Sequence, residues 1–576
     1  NISMQQFLSA FKNQWKLLLI LSVPAVLLGI FGLHQVGRLT FTNAAALTLI
    51  KGACEFCFIG LGLALLNLLR IKNKWALSFV GFLYYFAMTA DLVLLLYFRE
   101  RFGAKYLDTV QGGDYNFMTD WRLLTYFALV FLFCFFVFRR FFTPTPAKET
   151  AKRAAVCLAG FCALMMWSPL KLLPAPDDFY TSYMLPPSLI YTLQTKLAKT
   201  PPARFSLDEH TAALAEKYNI FSAKNTGVGK DYNRVILIAS ESLSNKYMHH
   251  FNPNIPAEAS APLDKLYENN PSASLRHVSL STLYGLTVIF TSHPFVREVV
   301  ENHYPVSFVR MLKERGFHTA FLRGANETYM SENILFQEAG FENVVGATYF
   351  QKRAEYAPYV NWWGLLDRKL FDYALEYLSE HKNEKTFITV LTVDSHVPLG
   401  RLDYLDEKYT EIDHKDYKMP TLPRAFARFG QDVERFLDGL KKNGLWDDKT
   451  LVLIMPDHPS YSNMPTVDLF TPFKPEYDNL PFIILTKNKI SAKITDNPLA
   501  SQLDIAPTVL DLLNIEPPKA FFGHSLFDTN AKRSVFDIKE DYAVITTSDE
   551  KRVMPLNTTR QGEKELLDLM TTIVRD

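Results

Sequence analysis

The feature that most constrains this chain is where its apolar residues lie. Long apolar runs crowd into the first 170 residues, and beyond them shorter apolar stretches alternate with polar ones. Five runs, at 17–33, 44–69, 75–98, 123–138 and 154–170, are long enough or nearly long enough to cross a bilayer, which takes ~20 residues of helix. The first is not expected to be a cleaved signal peptide, because no small-residue cleavage site follows it and further apolar runs come directly after. Trp15, Trp75, Trp121 and Trp167 stand at the ends of these runs, as an aromatic belt at the membrane surface requires. With the N-terminus inside, the cytoplasmic segments hold ten Lys and Arg and the outer loops five, the asymmetry that sets orientation. Five spans then put everything after residue 170 outside. Lys51, Glu55 and Asp91 fall within the runs. Lys51 and Glu55, four apart, can pair on one helix face; the functional alternative is contact with a lipid headgroup.

A formal net charge of +1 over 576 residues excludes the strongly basic surface of a nucleic-acid binder. The cysteines, Cys54, Cys57, Cys134, Cys157 and Cys162, all belong to the apolar half. Cys54 and Cys57 form a CxxC without a second pair, a poor zinc or redox signal, and read as small packing residues. The polar half has no cysteine and hence no disulfide.

Residues 171–230 read as a connector broken by prolines, among them Pro174, Pro186 and Pro201, with an apolar, aromatic stretch from Tyr180 to Leu193 suited to lying on a membrane surface. From 231 to 576 the pattern is that of an α/β domain. Short β-rich runs, Arg234–Ala239, His318–Leu322, Thr386–Thr392, Thr450–Met455 and Pro481–Leu485, alternate with helical patterns near 282–291, 305–315, 362–381, 422–442 and 501–514. Such alternation predicts a mainly parallel sheet covered on both faces. Ligands of such sheets bind just beyond the carboxyl ends of the strands.

Polar residues suited to metal or phosphate chemistry stand at three of those ends. Glu241 follows VILIAS, His396 follows TFITVLTVDS, and Asp457 and His458 follow TLVLIMP. Two carboxylates and two imidazoles in one crevice suit Zn²⁺ or Mn²⁺; taken singly, each could equally cap the next helix or turn. The segment SLSTLYGLTVIFTSHPF offers hydroxyls at Ser279, Ser281, Thr282, Thr287 and Thr291. Thr282 stands where a helix begins, and a helix N-terminus favours bound phosphate. A plain capping role for Ser281 or Thr282 is the alternative. His249, His250, His277, His293, His318 and His524 lack comparable placement and are assigned surface or structural roles.

The order strand-Glu241, STLYGL, DSHVP, PDH, SQLDIAPTVLDLL and FFGHSLF resembles the lipoteichoic-acid synthase and phosphoglycerol/phosphoethanolamine transferase branch of the sulfatase/alkaline-phosphatase superfamily. The resemblance implies a membrane α-helical domain of five transmembrane helices at 1–170 and an extracytoplasmic α/β sulfatase/alkaline-phosphatase-like domain at 231–576. It implies a bacterial cytoplasmic-membrane location, facing the periplasm where there is one. By motif, Glu241, Thr282, Asp457 and His458 are implied as ligands of one or more divalent metal ions, Mn²⁺ or Zn²⁺. Thr282, three residues before Gly285, is implied as the nucleophile, and His396 as a group that binds phosphate or assists the leaving group. The implied reaction transfers phosphoglycerol from phosphatidylglycerol to a glycan, lipid, teichoic-acid or protein acceptor through a phospho-threonine, releasing diacylglycerol. Phosphatidylethanolamine as donor is the near alternative, and a membrane-tethered phosphatase or phosphodiesterase, or a non-catalytic binding domain, the further ones.

The chain departs from its apparent relatives in places. Ser292-His293-Pro294 is the nearest string to the sulfatase C/S-x-P-x-R, with Arg297 one place too far, so sulfatase activity is not expected. There is no Cys-Gly before the threonine, and the region after His458 lacks the further histidine expected in lipid A phosphoethanolamine transferases. The stretch YMSENILFQEAGF lacks the arginine of lipoteichoic-acid synthases, and Glu332 falls near its position. Arg323, after a strand, is the candidate to supply that charge.

Overall fold

The computed structural model describes residues 209–294, 306–328, 332–361, 363–396, 421–460, 474–538, 542–555, 558 and 560–571 of the polar half. Of the apolar half it describes 73–98 and 121–142, with parts of 16–27, 56–71 and 150–159. The chain divides into two compact units, Asn1–Thr200 and Pro201–Asp576.

In the first unit, α1 (Lys74–Phe98) and α2 (Trp121–Phe141) coincide with the expected runs 75–98 and 123–138. They pack antiparallel. The Lys74 Nζ at the start of α1 donates to the Arg139 carbonyl at the end of α2 (3.0 Å), and Trp75 stacks on Phe135 at 4.3 Å between ring centres. Gly81 faces Phe138 and Cys134, whose atoms would crowd any Cβ there. Among the described residues no helix is long and apolar enough to cross a membrane. Lys51, Glu55, Trp15 and Trp167, the side chains of Asp91 and Trp121, and parts of the runs 17–33, 44–69 and 154–170, lie outside the described residues.

The second unit is built on a seven-stranded sheet of β1 (Arg234–Ser240), β2 (Ser272–Leu275), β3 (His318–Arg323), β4 (Asn343–Val345), β5 (Thr386–Leu391), β6 (Thr450–Pro456) and β7 (Leu480–Thr486), in the order β2-β7-β6-β1-β5-β3-β4. The strands from β6 to β4 are parallel; β7 runs antiparallel to β6, and the edge strand β2 pairs antiparallel with β7. Parallel strands buried on both faces read as unbroken apolar runs, and β1 is one. Val235, Leu237 and Ala239 enter one core while Ile236 and Ile238 enter the other. The first core is closed by α5 (Thr282–Thr291), α6 (Phe308–Glu314), α7 (Glu332–Ala339) and α10 (Ile505–Leu512). The second is closed by α4 (Ala257–Asn269), α8 (Asp367–Glu380) and α9 (Thr421–Lys442).

The register decides what meets at the strand ends. Ser240 of β1 pairs with Pro456 of β6, and Ala239 with Leu391 of β5. One residue on, Glu241 therefore comes level with Asp457 on one side and near the chain leaving β5 on the other. These are the carboxyl ends of adjacent parallel strands, the place where open α/β sheets bind ligands.

Several elements are absent from the pattern read above. β2 and β4 have four and three residues, too short for periodicity to register. A three-stranded antiparallel sheet, β8 (Val535–Ile538), β9 (Tyr542–Thr546) and β10 (Lys551–Pro555), follows α10. Residues 209–230, within the stretch read as a connector, pack on this unit. Helix α3 (Glu209–Lys217) leads to Tyr218, whose carbonyl accepts from Ser534 (2.7 Å) and whose ring meets Phe536. Thr226 bonds the Asp511 carboxylate through both its amide and its hydroxyl (2.8 and 2.7 Å).

Candidate metal and nucleophile site

The chain turns sharply after β1. Ser242 has a left-handed backbone (φ 59°), rare for a residue with a Cβ, and the turn brings two groups to bear at once. Its hydroxyl donates to Glu241 Oε1 (2.6 Å), and its amide donates to Asp457 Oδ1 (2.9 Å). The amide of His458 donates to the same Oδ1 (2.8 Å). One Asp457 oxygen is thus satisfied by backbone, while Oδ2 is buried with no hydrogen-bond donor.

Glu241, Asp457 and His458 offer ligand atoms that all lie within 4.8 Å of one another, and all three are buried. His458 Nδ1 lies 2.8 Å from the Pro459 carbonyl. A carbonyl only accepts, so Nδ1 carries the hydrogen and Nε2 is left as a lone-pair donor. That Nε2 stands 3.4 Å from Glu241 and 3.6 Å from Asp457 Oδ2. A bare carboxylate oxygen, a second carboxylate and an imidazole with its far nitrogen held by a carbonyl are a donor set that fits Zn²⁺ or Mn²⁺.

The charges respond to this crowding. Burial opposes ionisation of Glu241, but His396, His458 and the Ser242 hydroxyl hold its carboxyl well below the usual carboxylate range. Burial and the charge of Glu241 push Asp457 up to about 7. Burial alone would lower His458, yet Asp457 and Glu241 carry it up to about 9. Without a cation, protons fill the place of one.

Thr282 is the first residue of α5, and its hydroxyl donates to Glu241 Oε2 (3.1 Å) with His458 Nε2 3.4 Å away. Ser281 is the N-cap residue, but no side-chain capping bond is made. The other hydroxyls are committed elsewhere. Thr287 and Thr291 bond the carbonyls of Leu283 and Thr287 within the helix, and Ser279 accepts from the Ser281 amide. Gly285 is required by close approach, since a Cβ there would stand 2.0 Å from the Asp457 carbonyl oxygen.

His396 lies beyond β5 outside the three-ligand cluster, near enough for its charge to act on Glu241, with its ring against Trp363 at 4.5 Å. Its loop is clamped. Thr392 accepts from the Glu241 amide (3.0 Å), Ser395 donates to the Glu241 carbonyl (2.6 Å), and the buried Asp367 carboxylate accepts from the amides of Val393 and Asp394 (2.7 and 3.1 Å). Ser242, Thr392, Ser395 and Asp367 were not singled out from sequence. Only Ser242 and Ser395 carried a signal, adjacency to Glu241 and His396. Arg323 forms a buried ion pair with Glu332, so the expected positive charge has a carboxylate bound to it. Of the other histidines, His249 meets the Ile255 carbonyl (2.6 Å), His318 lies against Glu342 and Glu384, and His524 meets the Asn219 carbonyl (2.6 Å).

A doubly covered, mainly parallel sheet with a hydroxyl, two carboxylates and an imidazole at the carboxyl ends of its strands is the arrangement of an alkaline-phosphatase-like α/β domain. Residues 233–515 match the family model described as Sulfatase, and this part of the chain is a sulfatase-family domain. Curated relatives include a lipoteichoic acid synthase of Staphylococcus saprophyticus, 21% identical over 35% of this chain and 32% of its own length. Another is phosphoglycerol transferase I of Salmonella arizonae, 26% identical over 27% of this chain and 20% of its own length. The chain thus spans about a third or less of the curated relatives it matches. Among solved structures, the integral membrane protein lipooligosaccharide phosphoethanolamine transferase A from Neisseria meningitidis superposes with a TM-score of 0.54. It is 14% identical and covers 87% of this chain and 95% of its own, a likeness of fold.

Proposed function

We propose that this chain is a membrane-anchored phosphotransferase that moves the phosphoglycerol headgroup of phosphatidylglycerol to an extracytoplasmic hydroxyl acceptor on a glycan, lipid, teichoic-acid chain or protein. The observation that carries the reading is the Thr282 hydroxyl bonded to Glu241 beside Asp457 and His458, at the N-terminus of α5. Glu241, Thr282, Asp457 and His458 would hold a divalent cation, Mn²⁺ or Zn²⁺. Bound there, it would stabilise charge on the transferring phosphoryl group and favour the ionised hydroxyl.

The chain's own groups divide the remaining tasks. Thr282 Oγ1 forms a bond to the headgroup phosphorus as the bond from phosphorus to the diacylglycerol oxygen breaks. His396 donates the proton that leaves with diacylglycerol, and later takes the proton of the acceptor hydroxyl. The acceptor oxygen then bonds phosphorus and Thr282 Oγ1 is released. The positive end of the α5 dipole would favour the phosphate oxygens.

We further propose five transmembrane helices, an inward N-terminus and an outward catalytic domain. Two features of the first unit support this. Lys74 and Arg139 lie together at one end of the α1–α2 pair, as charges of one cytoplasmic face must. Large apolar side chains, among them Phe79, Leu83, Leu132 and Phe136, are exposed on those helices, a surface suited to lipid rather than water.

The test is diacylglycerol release by purified protein from phosphatidylglycerol or phosphatidylethanolamine vesicles, with Mn²⁺ and with Zn²⁺. Release from phosphatidylglycerol is expected. Release from phosphatidylethanolamine alone would reassign the donor, and headgroup appearing as free phosphoglycerol without any acceptor would make the protein a hydrolase. Thr282→Ala is expected to lower release by ~10³-fold or more, the scale of losing an activated nucleophile, and to leave no phosphorylated peptide by mass spectrometry.

A further inference from the structure

The carbonyl of Asp457 and the loop that leads to Thr282 are joined by one side chain from a distant part of the sequence. Gln502 is fully buried. Its Nε2 donates to the Asp457 carbonyl (2.6 Å), and its Oε1 accepts from the amides of Val278 (2.7 Å) and Ser279 (3.4 Å). A primary amide does both jobs because it presents a donor and an acceptor at fixed separation.

The backbone around Gln502 holds this side chain in place. Its own amide donates to the Arg276 carbonyl (3.1 Å), and the Arg276 amide donates to Ala500 (2.8 Å). Ser501 and Asp504 form a reciprocal capping box that shapes the turn. The far end of α5 reaches the same turn: the Ser292 hydroxyl donates to the Leu503 carbonyl (2.6 Å). Residues 501–504 therefore bracket α5 at both ends, and Gln502 is the part of the bracket that also grips Asp457. Gly285 completes the arrangement, since any Cβ there would meet the Asp457 carbonyl and lie 3.4 Å from Gln502 Nε2.

We propose that Gln502 is a positioning residue that sets the distance between the Thr282 hydroxyl and the Glu241–Asp457–His458 cluster by tying the Asp457 carbonyl to the Val278–Ser279 backbone. The inference rests on the transfer reaction proposed above. Gln502 touches neither substrate nor cation; it acts through the two segments it joins. Asp457 has its amide bonded to Ser240 (3.2 Å) and its carbonyl to Gln502, so loss of Gln502 frees one side of the residue whose Oδ2 faces the cation site.

Two variants of the full-length chain test this. Gln502→Met keeps side-chain length and removes the three side-chain hydrogen bonds. Gln502→Glu keeps the acceptor for the Val278 amide and places a carboxylate oxygen against the Asp457 carbonyl. Each is assayed for folded fraction by thermal melting, for Mn²⁺ binding by calorimetry, and for diacylglycerol release from phosphatidylglycerol vesicles. We expect kcat to fall by about 30- to 100-fold with KM within about threefold, because misplacement of a nucleophile is felt in the chemical step. Mn²⁺ should bind about tenfold more weakly, as when an outer partner of a metal ligand is removed. Unchanged kcat and Mn²⁺ affinity in both variants would overturn the proposal, and so would activity losses that only track the unfolded fraction. Should the native protein release no diacylglycerol from either donor, the transfer reading fails by itself. Mn²⁺ affinity then still judges Gln502: weakened in folded variants it supports the positioning role, unaltered it removes it.

Discussion

At the scale of single residues, Asp457 shows how an ordinary strand-end aspartate becomes a candidate ligand. Two backbone amides occupy Oδ1, and Oδ2 is left buried without a donor. An uncompensated buried carboxylate is costly, and a cation, or a proton, relieves it. This makes metal binding and pH oppose each other. A bound divalent ion needs Asp457 ionised and His458 neutral, whereas in the metal-free site Asp457 keeps its proton up to about 7 and His458 up to about 9. Apparent Mn²⁺ affinity is therefore expected to rise from pH 6 to pH 9, by up to ~10-fold per unit for each proton displaced. Calorimetry in buffers of different ionisation heat should record proton release, and a flat pH profile would count against these ligands. Asp457→Asn should weaken Mn²⁺ binding by ~100-fold or more, beyond the loss from an outer partner.

At the scale of elements, the site depends on how closely α5 approaches the end of β6. Gly285 permits that approach. Gly285→Ala puts a methyl group where the Asp457 carbonyl already lies, so helix or strand end must move. An overpacked buried contact costs about 1–3 kcal/mol, partly offset by the better helix propensity of alanine. The expected outcome is a lower melting temperature together with a larger relative loss of activity, because the displaced element carries Thr282. A variant that melts lower yet turns over normally would separate α5 placement from function. The β5 end is secured differently. Thr392 and Ser395 fasten the His396 loop to Glu241, and Asp367 at the start of α8 holds the same loop through the Val393 and Asp394 amides, so two of the three strand ends are cross-linked by side chains.

At the scale of the whole molecule, the two halves differ in kind. The first exposes large apolar side chains on α1 and α2, and the second buries its apolar residues on both sides of one sheet. The proposed topology places the second unit outside the cell membrane. All five cysteines lie within residues 54–162, so a cysteine introduced at exposed Asp438 is a clean reporter. In intact bacterial cells lacking an outer-membrane barrier, a membrane-impermeant maleimide is expected to label Asp438→Cys and to leave the second unit of the parent chain unlabelled. Labelling only after lysis would reverse the orientation.

The strands of the parallel sheet could be read directly from sequence because burial on both faces demands unbroken apolar runs, and β1, β3, β5 and β6 stand within a residue of where those runs fall. The strand ends were legible for the same reason: polar Glu241, Asp457 and His458 interrupt runs that otherwise admit no charge. The short edge strands, the β8–β10 sheet and the packing of residues 209–230 were not, since their stability comes from neighbours remote in sequence rather than from any local period. Nor was Gln502, a neutral amide in the string SQLD whose two partners lie 45 and 224 residues away. Local periodicity alone determined which segments become strands and helices, and where chemistry-bearing residues fall along them. The tertiary structure alone decided which of those residues meet, because sheet register and close backbone approach are properties of pairs of segments.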